Sequence, residues 1–86
     1  MRPEELVQLL RIRPFQPLRI LMTDGRTYDI RHPEMVIVQR GRVDIGVITD
    51  PASGVADRVD YCSIIHIVRV EPIHQEAAPL NGQAQD

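Results

Sequence analysis

A chain of 86 residues has room for one domain with one modest core. Apolar residues make up 43% of it, but with no Trp, one Phe and two Tyr that core must be aliphatic. The formal charge is −2 and no Lys is present, which excludes a strongly basic nucleic-acid-binding domain and leaves only a local arginine patch open.

Compartment follows from what the chain lacks. No apolar run approaches the roughly 20 residues that span a bilayer. The opening Met-Arg-Pro-Glu-Glu is too polar for a signal peptide. Cys62 stands alone, so no internal disulfide forms and a reducing compartment suits it. The expectation is a cytoplasmic protein with no membrane partner.

Residues 3–13 read as a helix. Pro3 suits the first helical position, Glu4 and Glu5 the positive end of the helix dipole, and Arg11 and Arg13 the negative end. Leu6, Leu9 and Leu10 form one apolar stripe, and Pro14 stops the helix. So short a helix must dock its stripe to persist.

From Leu18 the period changes to alternation. Leu18, Ile20 and Met22 share one face of a first strand. Asp24-Gly25 predicts a type I′ hairpin turn, and Tyr28 and Ile30 lie on a second strand. His32-Pro33-Glu34 breaks it, and Met35 to Val38 make a third strand. Arg40-Gly41 turns into a fourth, where Val43, Ile45 and Val47 alternate with polar positions and Gly46 suggests a bulge or a sharp bend. Residues 50–57, rich in Pro, Gly, Ser and Asp, are a loop. A fifth strand spans Arg58 to Cys62, a turn falls at Ser63-Ile64, and a last strand runs from Ile65 to Val70. Pro72 ends the regular structure, and residues 75–86 are polar and aperiodic, as in a disordered tail.

The predicted fold class is mainly β: a short N-terminal helix followed by a small five- or six-stranded antiparallel barrel in a single domain over residues 1–74. Closure removes the edges that a small open sheet would expose. The expected core is Leu6, Leu9, Leu10, Phe15, Ile20, Met22, Tyr28, Ile30, Val36, Val38, Val43, Ile45, Val47, Val59, Tyr61, Ile65, Val68 and Val70.

The Pro-Phe-x-Pro entry at 14–17, the Asp24-Gly25-Arg26 hairpin, the His32-Pro33-Glu34 turn and the closing Ile67-Val68-Arg69-Val70-Glu71 strand resemble a family of short uncharacterised bacterial proteins. The order helix, hairpin, bent strands, loop and final strand also resembles the Sm-like (Hfq) and SH3-like barrels. Leu21-x-x-Asp24-Gly25-Arg26 is similar to the first Sm motif, and Tyr61 with Ile65 and Val68 to the end of the second. The resemblance to Sm proteins implies a ring that binds RNA. This chain departs from it where RNA is held, carrying Cys62 and Ser63 where Hfq has Lys and His.

Clusters with chemistry are sparse. His32, His66, His74 and Cys62 lack the paired spacing of a zinc site, so no metal is expected. Ser53 and Ser63 have no His and acid arranged as a nucleophile set, so no catalytic residue and no cofactor is expected. Asp57, Asp60 and Glu71 read as solvated strand positions. Arg26, Arg31, Arg40 and Arg42 flank the turns and could line one rim of a barrel as a nucleic-acid or partner contact. The competing expectation pairs the arginines with Asp24, Asp29, Glu34 and Asp44 across the strands.

The expected function is therefore a non-enzymatic interaction module that forms a homo-oligomer. About 60 barrel residues lie near the lower limit for independent stability, and neighbouring copies could bury the remaining edges. RNA binding as an Sm-like ring is the alternative, and the charge balance leans against it. The sequence identifies no protein partner.

Overall fold

The computed structural model describes residues 1–74, and the expected tail at 75–86 lies outside the described residues. The chain is mainly β. Helix α1 spans Pro3–Arg11 and is followed by strands β1 (Leu18–Met22), β2 (Thr27–Ile30), β3 (Val36–Val38), β4 (Arg42–Val47), β5 (Arg58–Ser63) and β6 (Ile67–Pro72). Short 3-10 turns at Pro33–Met35 and Ile64–His66 precede β3 and β6.

Helix α1 stops two residues before the expected end. Ile12 is already extended, and the Arg13 guanidinium turns back to donate to the Leu10 carbonyl at 2.8 Å, satisfying a terminal acceptor. At the other end the Arg2 amide donates to the Glu5 carboxylate at 2.9 Å, half of a capping box. Leu6 and Leu10 are buried and Leu9 packs beside them, so the stripe docks on the sheets. Gln16 anchors the connection that follows by donating to the Ile73 carbonyl at 2.8 Å.

The strands form two antiparallel three-stranded sheets, ordered β2–β1–β6 and β3–β4–β5. Hydrogen bonding does not join them into a closed barrel among the described residues. The two 3-10 turns carry the chain from one sheet to the other, and a single apolar cluster fills the space between. Ile20, Ile30, Val43 and Ile45 lie at its centre.

The hairpin between β1 and β2 differs from the predicted type I′ turn. The Gly25 amide donates to the Met22 carbonyl and the Met22 amide to the Arg26 carbonyl, enclosing a three-residue loop, Thr23-Asp24-Gly25. Thr23 and Asp24 occupy the turn centre, and Gly25 follows at φ +90°, the geometry of a turn closed by a left-handed glycine. No bulge occurs at Gly46, whose pairing with Val59 is in register. The irregularity lies instead between β1 and β6. Leu21 pairs with Arg69 and Met22 with Ile67, leaving Val68 as the extra residue.

Four expected core residues face outward: Val59, Tyr61, Ile65 and Val68 are 49%, 67%, 77% and 58% exposed. In β5 the opposite face points inward, placing Cys62 beside Val43 and Asp60 beside Ile45. The 3-10 turn then buries Ile64 rather than Ile65, β6 begins at Ile67 rather than Ile65, and the Val68 bulge leaves Ile67 buried in its place.

Candidate interaction surface

The four arginines singled out in the sequence are dispersed. Arg26 is held by Asp24 at 2.8 Å beside the first hairpin. Arg31 follows β2 and reaches Asp29 only at 3.8 Å, because Arg19 grips that carboxylate first with two hydrogen bonds. Arg40 sits in the β3–β4 turn and makes no ion pair among the described residues. Arg42 pairs with Asp44 at 2.8 Å, and its guanidinium lies 4.5 Å over the Tyr61 ring. Arg26 and Arg42 both approach Tyr61, the first from a shallow depression it shares with that ring, while Arg31 belongs to a different surface.

That second surface is an open groove of about 640 Å³ over the outer face of β3–β4–β5. Ile37, Gly46 and Val59 form its floor, each an outward position of its own strand. One wall is the end of β2 and the 3-10 turn that follows, with Arg31, His32, Glu34 and Met35. The other is the β4–β5 loop, with Pro51, Gly54 and Ala56. This loop is well tied. Asp50 accepts from the Ala52 amide at 3.1 Å, Gly54 takes φ +67°, and the Asp57 carboxylate accepts from the amide and hydroxyl of Thr49. Gly46 keeps the groove deep: a β-carbon there would stand 3.6 Å from the Met35 carbonyl oxygen and 3.7 Å from the Ala56 methyl. The sequence pointed to Gly46 as a bend and to His32-Pro33-Glu34 as a break, but not to the groove that they help to form.

Charge is neutralised locally over most of this surface. Hydrogen bonds from Arg19 hold the Asp29 carboxyl below its usual range. Asp44 accepts from Arg42 and from Gln39. At the seam between the sheets the Tyr28 hydroxyl donates to Asp60 at 2.7 Å and Arg58 donates to the same carboxylate at 2.8 Å. The Arg58 bond, then the Tyr28 bond, lower the Asp60 pKa, whereas burial and the carboxylate contact raise that of Tyr28. Asp60 is thus an inward-facing strand position, not the solvated one the sequence suggested.

Among the described residues, no three His, Cys, Asp or Glu side chains come together in a way that could hold a metal ion. His66 Nδ1 lies 3.3 Å from the Thr23 hydroxyl, and Cys62 is buried. Among the described residues no helix is long and apolar enough to cross a membrane. No family model, curated protein or solved structure matches the chain.

Proposed function

We propose that this protein is a non-enzymatic interaction module that associates with copies of itself, its two sheets being the halves of a small barrel of the Sm or SH3 type. The observation that carries the reading is the placement of its exposed apolar side chains. Ile37, Val59, Tyr61 and Val68 all stand on β3, β5 or β6, which are outer strands of their sheets, and Ile65 adjoins β6. Outer strands present backbone donors and acceptors for pairing, and most proteins guard them with charge rather than with aliphatic and aromatic residues. Exposed apolar side chains concentrated on outer strands point to an interaction site. Sedimentation over a dilution series tests the reading. A dimer or larger assembly is expected at micromolar concentration, and a clean monomer at high concentration overturns it.

One observation favours a second reading, an Sm-like RNA-binding protein. Arg42 stacks on the exposed Tyr61 ring, and Arg40, two residues away, has no ion pair among the described residues. Cationic and aromatic groups side by side suit phosphate and base. If RNA is the ligand, a short single strand binds with an affinity that falls steeply with salt, and replacing Arg40 and Arg42 together flattens that dependence. Under the leading reading no binding is measured at physiological salt.

A further inference from the structure

The groove and the exposed Tyr61 ring lie on the same face of β3–β4–β5, one step apart along the strands: Val59 pairs with Gly46, and Tyr61 with Asp44. A hollow and a projection side by side are what a two-fold interface requires, since each copy must offer both halves. We propose that two copies of the chain pair across these outer faces, with Tyr61 of each seated in the groove over Gly46 of the other. The inference rests on the self-association proposed above and names its surface.

Three features select a second copy as the occupant. Tyr61 is held in place by the Arg42 guanidinium 4.5 Å above its ring, so little side-chain freedom is lost when it inserts. Asp44, the carboxylate at the centre of the face, already accepts from Arg42 at 2.8 Å and Gln39 at 3.0 Å, so covering it strands no lone charge. The groove wall carries a loosely held cation, Arg31, and an anion, Glu34, which has no ion pair or side-chain hydrogen bond among the described residues. A ligand bearing one sign of charge meets its like beside its opposite there. A protein face that carries both signs and is neutral overall meets no such penalty.

Size sets the strength. Three strands about 4.8 Å apart and five residues of about 3.3 Å rise give a flat footprint of roughly 14 by 17 Å. This is small beside the ~800 Å² per partner of a standard complex, so the pairing is expected to be weak and strongly dependent on concentration.

The test is sedimentation of the full chain and its variants over a dilution series, with the thermal midpoint as a check on folding. Gly46→Val fills the hollow and is expected to weaken pairing by about tenfold or more. Gly46→Ala, whose single β-carbon meets only ordinary contacts there, narrows the same hollow and should keep the midpoint, so that lost pairing in it is not lost folding. Tyr61→Ala removes the projection and should weaken pairing comparably. Arg31→Glu and Glu34→Arg should each weaken it, and the two together should restore it. If the wild-type chain associates but the Gly46, Tyr61 and charge variants associate equally well, this surface is wrong while self-association stands. If the wild-type chain is monomeric throughout, both fall.

Discussion

At Gly25 nothing lies within 4 Å of the point where a β-carbon would stand, yet the backbone takes φ +90°. The cost of Gly25→Ala is then conformational alone, about 1 kcal/mol, or a fall of roughly 4–8 °C in the melting temperature of a domain this size. An unchanged melting curve would show that the hairpin closes in another geometry. Gly46 presents the opposite case. Its backbone angle suits any residue, and what it contributes is the space between Met35 and Ala56. The sequence marked both glycines, but a glycine that frees a backbone angle and one that leaves a hollow look alike in one dimension.

Elements β1 to β4 were legible because their alternation is clean: Leu18, Ile20 and Met22, then Tyr28 and Ile30, then Val43 and Ile45 all face inward as the pattern requires. The stripe of α1 was legible for the same reason. The phase failed in Arg58-Val59-Asp60-Tyr61-Cys62, where either face could be the buried one and the more apolar face is outside. What reverses it is a long-range bond. Tyr28 from the other sheet donates to Asp60, and Arg58 compensates the charge, so a carboxylate becomes acceptable at the seam and Cys62 fills the core. The 3-10 turn and the Val68 bulge then shift the phase again in β6. Neighbouring substitutions at the turn measure this phase. Ile64, 4% exposed, should cost about 2–5 kcal/mol when changed to Ala, whereas Ile65→Ser, at 77% exposure, should leave monomer stability within about 0.5 kcal/mol. Equal costs would put both side chains in the core.

For the molecule as a whole, the charges are arranged as local pairs rather than as one field, which explains why the candidate arginine rim was only partly readable. Pairing of Arg26 with Asp24 and Arg42 with Asp44 follows from neighbouring positions, but the loosening of Arg31 depends on Arg19 across the strand. Four carboxylates held by local hydrogen bonds make the fold sensitive to acid. Asp24, Asp29, Asp57 and Asp60 all have folded pKa values below the ordinary carboxylate range, lowered respectively by the Arg26 amide, by Arg19, by Thr49 and by Arg58. Groups lowered in the folded state bind fewer protons there than in the unfolded chain. Their contribution is complete above an unfolded value of about 4 and is lost as pH falls through the folded values. The melting temperature should be level near neutrality and fall below about pH 4, and Asp60→Asn should shallow the fall. A profile unaltered by that change would place the acid sensitivity elsewhere.

The inversion of β5 also gives the chain a clock. Cys62, its sole thiol, is 5% exposed in the folded state, on the inner face of β5 opposite Val43. A thiol reagent reaches its sulfur only when β5 lifts away or the whole domain opens, so the labelling rate under dilute reagent counts openings rather than collisions. In a crowded solution of copies, the slowing of that rate with protein concentration would report how far assembly holds β5 shut.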